Sequence, residues 1–211
     1  MASKLITTWY LQYQGPTLSL PDWPTDCLLM EARRPSPELS QFLFHAVGTP
    51  WHWFSRLSWD YQQWLDHVAN EHVRTWVLYQ DGSIAGFVEL NLHPSTPSAV
   101  AGSTEAKQCS VELKFFGLLP AFTGQGLGPK LSQAAIALAQ QWLQAQQNTE
   151  TPNIWVHTCS DDHPAALATY QRAGFVEYHR EQEAATIPVD YAEAALCRSY
   201  VHSRLARFQQ P

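Results

Sequence analysis

At 211 residues, 45% of them hydrophobic and with nine Trp, eight Tyr and nine Phe, the chain has the size of one domain and is too apolar and aromatic to stay disordered. No apolar run reaches the length of a membrane-spanning helix, and Met1 to Tyr10 lacks the basic-then-apolar layout of a signal peptide. A net charge of −6 disfavours non-specific nucleic-acid binding and suits cationic partners such as amines, while four widely spaced cysteines (Cys27, Cys109, Cys159, Cys197) with no C-x-x-C pair fit reduced thiols in the cytoplasm.

Residues 1–26 mix polar, aromatic and proline residues and read as an N-terminal arm with one short strand. The main domain is expected over 27–182, with 183–211 as a C-terminal extension of it. Cys27 to Ala32 reads as the first strand of the main sheet, and Pro35-Ser36-Pro37 starts a helix that runs to Val47. A second helix is expected from Asp60 to His72, with Tyr61, Trp64, Leu65 and Val68 on one face. Thr75 to Gln80 and Ser83 to Asn91 form a hairpin across Asp81-Gly82. A Pro/Ser/Thr-rich loop, His93 to Ala106, leads to a strand from Cys109 to Leu119. A long helix from Gly126 to Gln147 carries Leu127, Leu131, Ala135, Leu138 and Trp142 along one stripe. A strand at 153–158, a helix at 164–173 stopped by Gly174, and a strand starting at Phe175 complete the pattern, with 188–211 amphipathic and either helix or strand. The order β-α-α-β-β-β-α-β-α-β describes an α/β fold with a mixed sheet and helices on both faces.

The most informative segment is Phe115-Phe116-Gly117-Leu118-Leu119-Pro120-Ala121-Phe122-Thr123-Gly124-Gln125-Gly126-Leu127-Gly128. An apolar strand runs into a glycine-rich turn and then into the first turn of a helix. Unpaired N–H groups and the positive end of the helix dipole face whatever fills that turn, which makes a phosphate site out of backbone. A P-loop requires Lys and then Ser or Thr directly after the last glycine, but Gly128 is followed by Pro129, Lys130 and Leu131. A dinucleotide fingerprint requires G-x-G-x-x-G early in the chain, which is also absent.

Thr123-Gly124-Gln125-Gly126-Leu127-Gly128 resembles the acetyl-CoA loop of the GCN5-related N-acetyltransferases (GNAT), Gln/Arg-x-x-Gly-x-Gly/Ala, with Thr123 standing where Gln or Arg is usual. A second block of that family is matched downstream. The strand Ile154-Trp155-Val156-His157-Thr158 is followed, after a turn, by Ala165-Ala166-Leu167-Ala168-Thr169-Tyr170-Gln171-Arg172-Ala173-Gly174-Phe175, similar to the helix A-x-x-x-Y-x-x-x-G-F and its exit. The resemblance covers roughly residues 73 to 182 and implies a mostly antiparallel mixed sheet, acetyl-CoA as co-substrate, an amine acceptor and no metal.

Carried onto this chain, the resemblance puts pantetheine contacts on the backbone of Phe116, Leu118 and Leu119 and the pyrophosphate on the loop Thr123, Gly124, Gln125, Gly126, Leu127 and Gly128. Lys130 is the nearest cation to take the part of the missing Gln or Arg. His163 falls where the family carries an Asn that contacts CoA, and Tyr170 where a tyrosine faces the CoA sulfur as proton donor. Glu112 aligns with the glutamate base of histone-type members, Glu89 on the preceding strand is the second candidate, and a water chain is the third. Trp51, Trp53 and Arg56, with His52, occupy the loop between the first two helices that shapes the acceptor pocket in the family, and the loop at 93–106 is positioned to close over it. A homodimer is left open. The run His157-Thr158-Cys159-Ser160-Asp161-Asp162-His163 has metal-ligand residue types, as a metal-dependent hydrolase would need, but Asp161 or Asp162 before Pro164 reads more simply as a helix N-cap. The competing reading of another class is a non-catalytic acyl-CoA-binding or sensory module.

Overall fold

The computed structural model describes residues 3–95, 109–146 and 153–186. The expected lid at 93–106 falls almost wholly outside these residues, as do Cys197 and the segment 188–211. The strands are β1 (Ser3–Tyr13), β2 (Cys27–Glu31), β3 (Val73–Gln80), β4 (Ser83–His93), β5 (Ser110–Leu118), β6 (Asn153–Cys159) and β7 (Phe175–Thr186). The helices are α1 (Pro37–Gly48), α2 (Tyr61–Val68), α3 (Leu127–Ala145) and α4 (Ala166–Arg172).

The strands form one sheet in the order β2-β3-β4-β5-β6-β1-β7. Every pairing is antiparallel except β5 with β6. The mixed, mostly antiparallel sheet with helices on both faces is therefore as expected. Residues 1–26 are more than an arm with one short strand: β1 spans eleven residues and sits between β6 and β7. β7 runs through Thr186, so the last strand carries past the expected boundary at 182.

Alternation along each strand sends side chains into two cores. One lies under α3 and α4 and joins Val88, Leu90, Val111, Leu113, Ile154 and Val156 to Leu131, Ala135 and Trp142 of α3. The other lies under α1 and α2, where Val77, Phe87 and Phe115 meet Leu43, Phe44, Val47 and Trp64. Gly117 lets α1 approach, because a Cβ there would come within 2.5 Å of Val47.

Local chemistry sets the element ends. Ser36 caps α1 by accepting the Leu39 N–H, with Pro37 at the first helical position. Asp60 and Gln63 form a capping box on α2. That helix stops at Val68, short of the expected His72, because Asn70 turns the chain by accepting the His72 N–H at 2.9 Å. Its apolar stripe is also narrower than expected, since Tyr61 is exposed. The β3–β4 turn has positive φ at Asp81 (49°) and Gly82 (74°), the form that suits strand twist. α4 begins at Ala166, so Pro164 precedes it.

Candidate active site

The parallel β5–β6 ladder holds only Ser110 to Asn153, Val111 to Ile154 and Glu112 to Trp155. β5 then continues to Leu118 and β6 to Cys159 with no pairing between them, β6 staying on β1 instead. Lys114 is an extra residue on β5 relative to β4, between the rungs Glu89–Phe115 and Leu90–Leu113. A bulge of this kind bends its strand and raises its twist. The Leu119 N–H donates to the Ala85 carbonyl of β4 at 2.8 Å. By antiparallel alternation, the amides of Leu118 and Phe116 face the opened side. Unpaired backbone inside a sheet calls for a partner.

The chain leaves β5 through a short 3-10 turn, Pro120–Phe122, and enters the glycine loop. Gly124 and Gly126 both have φ of 77°, a region that residues with a Cβ avoid, and among the described residues nothing but their chain neighbours stands within 4 Å of where a Cβ would project. Gly126 caps α3 and has no side chain to cap it with, so the first-turn N–H groups face outward with no side-chain acceptor on them among the described residues. Thr123 and Gln125 turn back into the loop, donating to the carbonyls of Pro120 at 2.8 Å and Ala121 at 3.0 Å. Lys130 donates to the Asp22 carbonyl at 2.7 Å, so its ammonium is held by the N-terminal segment and not by the loop.

Tyr170 of α4 packs its ring against Phe116 and Phe175, each at 5.9 Å. Burial, and next the charge of Asp162, push its pKa well above that of an ordinary phenol, so the hydroxyl stays protonated. Among the described residues that hydroxyl has no hydrogen-bond partner.

Glu89 and Glu112 share the sheet face under α1 and α2 but belong to different networks. Glu89 is 1% exposed and forms a two-pronged pair with Arg56 at 2.9 and 3.2 Å, with His67 Nε2 at 3.1 Å. Arg56 is 5% exposed, its guanidinium 4.6 Å from the Trp59 ring centroid and 4.4 Å from that of Phe115. Burial opposes ionisation of Glu89, but the His67 hydrogen bond and the Arg56 charge outweigh it and lower the pKa. Glu89 is thus an ionised anchor and not a free base, and Arg56 braces the loop instead of presenting a cation to an acceptor.

Because the folded pKa of Glu89 lies below the unfolded value of about 4.3, its stabilisation is complete above that value and is lost as pH falls through the folded pKa. Glu89→Gln removes one member of a buried ion pair and is expected to destabilise by about 3–5 kcal/mol at pH 7. Urea unfolding measures this. The gap to the unaltered protein should shrink below about pH 4, and a constant gap would mean that charge is not its source.

Glu112, 2% exposed, accepts from His157 Nδ1 at 3.0 Å and Lys114 Nζ at 3.1 Å on one oxygen and stands 3.2 Å from His93 Nε2 with the other. Burial opposes its ionisation as well, but His157 and Lys114 outweigh burial and lower its pKa. The histidines around this carboxylate were not part of the expected site. His157 stands two residues past Trp155, which puts it on the same strand face.

The loop between α1 and α2 is tied across to the turn after β6. Trp53 Nε1 donates to Asp162 at 3.1 Å, His52 Nδ1 is 3.2 Å from Asp161, and Trp51 meets His163 edge-on at 4.7 Å. Asp162 also accepts from Thr158 Oγ1 at 2.7 Å and the Cys159 N–H at 2.9 Å. Asp161 pairs with Lys4 of β1. Neither aspartate caps α4, whose N-cap is Ala165 with no side-chain bond. His163 Nδ1 accepts the Ala165 N–H at 3.0 Å. His157 and His163 therefore serve different partners, and among the described residues no group of three or more His, Cys, Asp or Glu is placed to hold a metal.

Several solved structures share the fold. A GCN5-related N-acetyltransferase from Sphaerobacter thermophilus superposes with a TM-score of 0.54 at 14% identity, over 86% of this chain and 53% of that one. One from Kribbella flavida gives 0.52 at 17% identity, over 89% and 60%. An aminoglycoside acetyltransferase from an uncultured soil metagenomic sample, in complex with trehalose, gives 0.51 at 12% identity, over 70% and 87%. This chain thus spans little more than half the length of the first two. No curated protein sequence matches it. The model of the acetyltransferase (GNAT) family matches residues 36–175, most of the chain and all of the elements that form the opened ladder and glycine loop, and the protein belongs to that family.

Proposed function

We propose that the protein is a cytoplasmic acetyl-CoA-dependent N-acetyltransferase that passes the acetyl group directly to an amine of a small molecule or peptide. The observation that carries this reading is the opened β5–β6 ladder, whose outward amides lead to a left-handed glycine loop and an uncapped helix N-terminus. The pyrophosphate binds the N–H groups of Gln125, Gly126, Leu127 and Gly128, where α3 supplies half of a positive charge or so in dipole terms. Pantetheine runs along the backbone of Phe116 and Leu118, whose amides face the opening; the expected contact at Leu119 is left out, because its N–H is given to Ala85 and its carbonyl accepts the Phe122 N–H. The Leu118 amide, which faces the opening, holds the thioester oxygen as negative charge develops on it. Tyr170 gives its proton to the departing thiolate, a role that suits a phenol kept neutral by burial. Trp51 and Trp53 form the acceptor wall, their loop fixed in place by Asp162 and His163.

The test is calorimetric titration of the full chain with acetyl-CoA, NAD and ATP, followed by thiol release from acetyl-CoA with 2-phenylethylamine, spermidine, an aminoglycoside and a short peptide. Selective acetyl-CoA binding with CoA release is expected. Binding without release on any of these amines would favour a non-catalytic acyl-CoA module, and absence of binding would remove the loop from the argument.

A further inference from the structure

Glu112 is poorly suited to take a proton itself. Its two oxygens already face three donors, and its lowered pKa puts it far below an alkylammonium, for which about 10.4 is ordinary. The imidazole beside it is placed differently. Trp155, opposite Glu112, is the last β6 residue in the ladder. His157 is the next β6 residue on that face, so it is the first side chain on the Glu112 side past the point where the strands part.

The geometry points to His157 as the group that takes the proton from the acceptor amine, with Glu112 as the positioning residue that fixes its tautomer. The inference deepens the acetyl-transfer reading and rests on it. An ionised carboxylate only accepts hydrogen bonds, so the His157 nitrogen 3.0 Å from Glu112, Nδ1, carries the hydrogen. Nε2 then holds the lone pair. The His157 side chain is 35% exposed, enough for an acceptor to reach it. As the N–C bond forms and the C–S bond breaks, the attacking nitrogen gives its proton to Nε2. The electron pair leaves on sulfur, which takes the phenolic proton of Tyr170, and imidazolium and phenolate reset through solvent.

The charged and titratable groups facing this imidazole come from four strands. Glu112 and Lys114 lie on β5, and His93 on β4 contacts the far oxygen of Glu112. Tyr10 on β1 has its ring 6.0 Å away. His179 and Glu181 on β7 surround Tyr10, and Tyr178 lies close enough for the Glu112 charge to help raise its pKa. Glu112 is the carboxylate in direct contact with the His157 ring, 3.0 Å from Nδ1.

Two experiments on the full chain test the proposal. In long-range proton–nitrogen spectra of protein labelled with 15N-histidine, the signal lost in His157→Gln should be an Nδ1–H tautomer in its neutral form. An Nε2–H tautomer would overturn the inference without any reference to activity. In pH profiles of kcat/KM with the panel amine turned over fastest, His157→Gln should lose about 100-fold across the profile. Acetyl-CoA affinity should be unchanged, which also reports a sound fold. Glu112→Gln should weaken the preference for the Nδ1–H tautomer in the same spectra and lower kcat/KM at unchanged acetyl-CoA affinity, because an amide, unlike a carboxylate, can donate as well as accept. A His157→Gln profile equal to that of the unaltered protein would overturn the inference and leave acetyl transfer standing. Absence of CoA release by the unaltered protein with every amine would remove the acetyl-transfer reading and with it the role of His157.

Discussion

Gly126→Glu is expected to raise the acetyl-CoA dissociation constant by at least about 100-fold, equivalent to about 2.7 kcal/mol, while the protein stays folded. Gly126 has φ of 77° and caps α3, so its substitution alters the loop at the point where the first-turn amides point outward. Two effects separate. A side chain in the left-handed region costs about 1 kcal/mol or a little more, but no atom of the described residues beyond its chain neighbours lies within 4 Å of the added Cβ, so packing there is unaffected. The carboxylate, by contrast, competes for the helix N-terminus with the anionic pyrophosphate and repels it. Gly126→Ala carries the same backbone strain without charge and should lose far less affinity. Calorimetric titration of both variants, with thermal melts, reads the two effects independently. Tight binding retained by Gly126→Glu would mean that the loop does not hold the pyrophosphate.

The parts of this molecule that were legible in its sequence are those written by short-range rules. Asp81-Gly82 declares its hairpin because both residues tolerate positive φ, and the strands on either side extend only slightly beyond the expected ends. The glycine loop and α3 are read from consecutive residues, and the helix ends two residues earlier than its apolar stripe implied. β1 was illegible as an interior strand because its partners, β6 and β7, lie some 150 residues away with no turn to announce them. Asp162 satisfies the local rule for an N-cap but is claimed by donors from Trp53, Thr158 and Cys159, and tertiary contacts win. Glu89 and Arg56 each looked functional alone. Their pairing across 33 positions of sequence, which converts both into structure, is visible only once α2 and the loop before it are packed on β4. His157 needed one further fact, the parallel register that sets Glu112 beside Trp155.

Tyr170→Phe should lower kcat by about 100-fold or more and leave acetyl-CoA affinity and thermal stability nearly unchanged. The ring contributes its packing through Phe116 and Phe175, contacts that phenylalanine keeps. The hydroxyl has no hydrogen-bond partner among the described residues, so its removal orphans no described group. What is lost is the proton for sulfur. A general acid acts in its protonated form, and burial together with the Asp162 charge holds Tyr170 protonated well above the ordinary phenol value of about 10. Turnover should therefore show no alkaline decline from Tyr170 below about pH 10, where an exposed phenol would already be half ionised. Steady-state kinetics across pH, with acetyl-CoA binding measured on the same variant, separates the two roles open to this residue. Parallel loss of affinity and turnover would make Tyr170 a packing residue. Loss of turnover alone would place its hydroxyl at the leaving thiolate, because a hydroxyl with no partner among the described residues contributes when a ligand brings one.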